Sequence, residues 1–113
     1  MPTKQLEAHV RQERAVAVID LRGEINAGAE ETLNAAYAEA EAHNPEAILL
    51  NFADVGYINS TGIALIVGLL SQARKSQRRL MACGLSEHYV EIFQITRLAD
   101  YMTLFPDEAS ALA

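Results

Sequence analysis

The rhythm of apolar and polar residues changes several times along the chain, and each change predicts an element. LEAHVR at 6–11 alternates weakly, and AVAVIDLR at 15–22 is richer in β-branched residues, so both read as strands. The polar stretch Gln12 to Arg14 between them predicts a hairpin connection, and Gly23 predicts a break after the second strand. Asn26 then suits the cap of a helix over about 28–43, in which Leu33, Ala36, Tyr37 and Ala40 recur at helical spacing. Asn44-Pro45 ends it. AILLNF, 47–52, is short and almost wholly apolar, as expected of a central strand covered by helices.

After a loop, DVGYIN, the segment STGIALIVGLLSQARKSQ predicts a helix over about 61–76. RLMACG, 79–84, reads as another short strand, and Ser86 as the cap of a third helix reaching about 94. YMTLF, 101–105, predicts a last strand, and Pro106 suits the first turn of a final short helix. The order β-β-α-β-α-β-α-β-α implies an α/β fold. It calls for a single mixed, mostly parallel sheet with helices packed on it and an antiparallel hairpin at the front.

Composition narrows the function more than the fold. The chain has 113 residues, half of them apolar, enough for one compact domain over 1–113 with its own core. No apolar run approaches the roughly 18 residues of a membrane span, and the first residues lack an apolar signal core. Cys83 is the only cysteine, which fits a reducing cytoplasm, and its apolar strand predicts a packing role. A net charge of −6 argues against a nucleic-acid surface. The one basic cluster, Arg74, Lys75, Arg78 and Arg79, falls where cations meet the negative end of a helix dipole.

Signs of catalysis are absent from the sequence. His9, His43 and His88 lie in different elements without ligand-like spacing, so neither metal nor cofactor is expected. The chain contains no phosphate-binding loop, no dinucleotide fingerprint and no nucleophile elbow. Nothing assembles a nucleophile, a base and an orienting group, which predicts a binding module rather than an enzyme.

The segment Leu49 to Leu70 stands out, because the polar cluster Asn59-Ser60-Thr61-Gly62 opens a very apolar helix. Ser60 and Thr61 are suitable caps for the orphan N–H groups of the first turn, and Gly62 puts no side chain over them. A helix N-terminus also favours an anion, so a phosphate on Ser60 would be tolerated by the fold while changing the surface seen by a partner. Read locally, the cluster is more simply a capped helix start and nothing more, since Ser and Thr caps are common.

The chain resembles STAS domains, and in particular the anti-sigma factor antagonists, from Val18 to Leu112. The resemblance is carried by GEIN at 23–26, by ILLNFADVGYINSTGIALIVGLL, and by RLMACGLSEHYVEIFQITRLADYMTLFPDEASAL. It implies that Ser60 is a phosphoacceptor. It implies that the unmodified chain binds an anti-sigma factor, often a Ser/Thr protein kinase, and releases a sigma factor. Phosphorylation would end the interaction and a phosphatase would reset it, with the chain a substrate throughout. The contact surface would run from Gly23 to Ala27 and from Tyr57 to Gly62, with Glu24, Asn26, Tyr57, Asn59, Ser60, Thr61 and Gly62 as partner-binding residues. Asn59 and Asn26 stand where the family usually has Asp, and Arg97 where it often has Gly. The two asparagines keep the capping ability of Asp without its charge. They motivate an alternative, an unmodified interaction or scaffold module that binds a signalling partner, a small anion or a nucleotide. The charges Glu7, Arg11 and Arg14 would guard the edge of the front hairpin, which is consistent with a monomer or a weak dimer.

Overall fold

The computed structural model describes residues 4–113. Its elements are β1 (Glu7–Glu13), β2 (Val16–Ile25), α1 (Glu30–Ala42), β3 (Ala47–Ile58), α2 (Ser60–Lys75), β4 (Arg79–Cys83), α3 (Glu87–Ile95), β5 (Thr103–Phe105) and α4 (Glu108–Leu112). The five strands lie in the order β1-β2-β3-β4-β5. Only the first pair is antiparallel; the other three are parallel, each joined through a crossover helix. The mixed, mostly parallel sheet expected from the pattern is the one observed.

Strand periodicity divides the core between two faces. Ala17, Ile19 and Leu21 of β2, Ile48, Leu50 and Phe52 of β3, and Leu80 and Ala82 of β4 pack in one cluster with α1, α2 and α3. The alternate residues Val18, Leu49, Met81 and Cys83 form a second cluster, against which Ala111 and Leu112 of α4 pack. This is why Ala47 to Leu50 is apolar at every position: both of its faces are covered. Phe52 and Phe93 meet edge to face, with centroids 6.0 Å apart, and lock α3 to the sheet.

Four expectations need correction. The hairpin connection is only Arg14 and Ala15, because Gln12 and Glu13 continue β1 opposite Ala17 and Val16. Arg14 takes the left-handed conformation (φ 61°) that so short a turn demands. Gly23 does not end β2. At φ +114° it sits at a register shift, and the strand runs on to Ile25. That continuation keeps β3 paired beyond residue 52, with Glu24 opposite Tyr57 and Ile25 opposite Ile58, so the expected loop DVGYIN is strand almost throughout. Finally, Pro106 precedes the last helix instead of opening it. Asp107 is its cap, accepting from the Ser110 N–H at 2.8 Å.

Candidate site at the start of helix α2

The last residue pair of β2 and β3 delivers the chain directly into α2. Ile25 and Ile58 are register partners, and the Asn59 N–H then donates to the Ile25 carbonyl at 3.1 Å. The Ile58 N–H donates to the Tyr89 hydroxyl at 2.9 Å, which anchors the end of β3 to α3. Sequence spacing gave no hint of Tyr89, because its role depends on where a separate helix docks.

Asn59, not Ser60 or Thr61, caps the helix. It is extended (φ −93°, ψ −177°), and its side-chain oxygen accepts from the Gly62 N–H at 2.8 Å. Ser60 is already the first helical residue and, like Thr61, is exposed. The expected cap is thus displaced by one residue, and the displacement frees the Ser60 hydroxyl from any capping duty. Asn26 performs the matching task after β2, where its side-chain oxygen accepts from the Gly28 N–H at 3.0 Å. The two asparagines follow paired strand ends and close adjacent turns.

Gly62 is buried, and its role is packing rather than access. A Cβ there would lie 2.1 Å from the Ile25 carbonyl oxygen, so only glycine lets α2 approach the end of β2 this closely. Ile58 is buried too, and Ile63 packs at the margin of the main core. Tyr57 belongs to the end of β3 and is 49% exposed. It lies with Glu24, Arg22 and Asp54 along an open polar groove of about 930 Å³, formed by the three strand ends. Arg22 and Asp54 could be added to the site only once the β2–β3 register was known.

The electrostatics around Ser60 are permissive for an anion. The first turn of α2 carries no acidic side chain. The amides of Ser60 and Thr61 fall among the donors for which a helix has no internal acceptor, at the positive end of its dipole. The ion-paired Arg11 and Asp20 lie instead on the far face of the sheet, the face of Val18 and Leu49. There the hydrogen bonds from Arg11 hold Asp20 below the usual carboxylate range against the opposing effect of burial, with further help from Asn51. Among the described residues no cluster of His, Cys, Asp or Glu is arranged to hold a metal ion, and no helix is long and apolar enough to cross a membrane.

The STAS domain family model matches residues 7–111. The chain belongs to the STAS domain family. An anti-sigma-B factor antagonist of Staphylococcus epidermidis is 40% identical over 53 residues, 47% of this chain and 49% of that protein. This STAS chain therefore spans about half the length of the curated relatives it matches. A solved anti-sigma factor antagonist from Mycobacterium paratuberculosis superposes with a TM-score of 0.82 at 19% identity, covering 96% of this chain and 92% of that one. The Bacillus cell fate determinant SpoIIAA, solved in its phosphorylated form, gives 0.68 at 23% identity, with 92% and 96% covered. At such identities the structural likenesses establish the STAS fold, and the chemistry must be argued from the site.

Proposed function

We propose that this STAS domain is an anti-sigma factor antagonist switched at Ser60. The unmodified chain binds an anti-sigma factor that is also a Ser/Thr protein kinase and so releases a sigma factor. The kinase places a phosphate on Ser60, which ends the interaction, and a phosphatase restores it. The domain acts by binding in the cytoplasm and catalyses nothing; the kinase and phosphatase do the chemistry.

The observation that carries this reading is the exposed Ser60 hydroxyl at the first position of α2, left uncommitted because Asn59 makes the cap. A phosphate there adds about −1.5 to −2 charges beside unpaired amides, so the fold tolerates it. A partner fitted to a neutral hydroxyl meets charge and bulk instead. Glu24, Asn26, Tyr57, Asn59 and Thr61 complete the contact surface, and Gly62 shapes it from beneath. Kinship with named antagonists, and the phosphorylated state of a protein of the same fold, support the assignment.

The test is intact mass spectrometry with site mapping on the chain purified from its native host, paired with binding to the host's anti-sigma factor. The expected result is one phosphate on Ser60 and binding only by the unphosphorylated form. Absence of phosphate under every growth condition, together with no binding, overturns the reading. Absence of phosphate with binding intact favours an unmodified interaction module. Asn26 and Asn59 motivate that second reading, since both are engaged as neutral caps where acids are usual.

A further inference from the structure

The other end of α2 carries a second surface, which the Ser60 reading does not use. Between the last turns of α2 and the turn after α3 lies an open groove of about 570 Å³. Its floor is apolar, built from Val67, Leu70, Leu98 and Tyr101. Val67 is 46% exposed and Tyr101 58%, high for side chains of that kind. Its rim is cationic. Arg74 and Lys75 form the last turn of α2, and the Arg74 guanidinium carbon lies 4.8 Å from the Tyr101 ring centroid, which holds the charge over the groove. Arg97 also lines it, but its guanidinium is paired with Asp100 at 2.7 Å. Neither Arg74 nor Lys75 has an ion-pair partner among the described residues. Ser71 and Thr96 add hydroxyls at the margin.

The helix dipole explains why cations sit at this helix end, but not why they border exposed apolar surface. In a chain of net charge −6, Arg74 and Lys75 set two cations without a carboxylate partner among the described residues beside an open apolar floor. We propose that this groove docks an acidic segment of a partner protein that also carries apolar side chains. The partner's aliphatic or aromatic residues would fill the floor, and its carboxylates would meet Arg74 and Lys75. Fourteen helical steps from Ser60 to Arg74 place the cationic rim roughly 20 Å along α2 from the switch, and seven steps to Val67 place the nearest edge of the floor roughly 10 Å away. The groove would therefore hold a partner whether or not Ser60 is modified.

The test uses the full labelled chain and a short synthetic peptide that alternates Glu with Leu and Phe, followed by amide shifts in NMR spectra. The expected shifts centre on Val67, Arg74, Lys75 and the segment from Thr96 to Tyr101, and they weaken as salt rises. Lys in place of every Glu, or Ser in place of the apolar residues, should abolish them. Arg74→Gln combined with Lys75→Gln should raise the dissociation constant about tenfold with the circular dichroism unchanged. Tyr101→Ala, at an exposed position, gives a second route to the same loss. Ser60→Asp should leave the binding intact. Shifts centred on Asn59 to Ile63, equal binding of the Lys peptide, or no binding at millimolar peptide would overturn the proposal. So would groove shifts that appear on concentrating the chain alone, since a second copy would then be the occupant.

Discussion

Gly62 and Asn59 show how little freedom the start of α2 has at the scale of single residues. A methyl group on Gly62 cannot be accommodated by rotating a side chain, because what it meets is the Ile25 backbone oxygen at 2.1 Å. Gly62→Ala should therefore cost about 3 kcal/mol or more, as severe overpacking does, and urea unfolding would measure it. A loss below about 1 kcal/mol would mean that α2 can slide away from β2. Asn59 separates capping from charge. Asn59→Ala removes the acceptor for the Gly62 N–H and should cost about 1 kcal/mol. Asn59→Asp keeps the acceptor and adds a favourable charge at the helix start, so stability should hold or rise by about 0.5 kcal/mol. If an acid beside the hydroxyl aids the kinase, the same variant should be phosphorylated faster than wild type. An unchanged rate would show that Asn59 serves the cap alone.

Helix α4 is the element whose presence depends most on its surroundings. Its five residues are too few to be helical alone, so it persists only by docking on the sheet. Two contacts dock it: Ala111 and Leu112 on the second core cluster, and Glu108 bound by Arg11, which also grips Asp20 through Nε at 2.6 Å. The sequence contains every member of this network but not the network itself, since Arg11 and Glu108 lie at opposite ends of the chain. The same limit applied to the second half of β3. Ala47 to Leu50 is legible because burial on both faces makes it apolar, whereas Asp54 to Tyr57 gains its strand character only by pairing with β2. Likewise, the N-S-T-G cluster reveals a helix start, and only the backbone geometry decides that Asn caps and Ser is left free. The docking should respond to pH in a defined direction. Asp20 titrates below its ordinary range in the folded chain, chiefly because Arg11 hydrogen-bonds its charged form. Its contribution is thus complete above the ordinary carboxylate pKa and is lost as pH falls through the lowered folded value. The protection factors of amides in α4 and β1 should fall in that acid range, and Asp20→Asn should largely remove the fall.

Across the whole molecule, the sheet separates a thickly covered face from a thinly covered one. Three helices pack on the first; the second depends on α4 over Val18, Leu49, Met81 and Cys83. The helices carrying both candidate surfaces therefore stand on the more stable side, and opening should begin on the other. Cys83 reports on that opening. Its thiol is buried, lies 3.6 Å from the Asn51 side-chain oxygen, and has its pKa pushed up to about 11, chiefly by burial. Alkylation at mild pH therefore requires an excursion that exposes the sulfur and lets the thiolate form. If undocking of α4 suffices, the labelling rate in low urea should rise only shallowly with denaturant, because little surface is exposed in the reactive state. Arg11→Ala should then accelerate labelling several-fold, in keeping with about 1 kcal/mol for a partly exposed ion pair with two acceptors. It should leave the steep urea dependence of global unfolding unchanged. A labelling rate that follows the global slope from the lowest urea concentrations would mean that α4 and the sheet open as one cooperative unit, and that the ion-paired helix is integral to the fold rather than its loosest part.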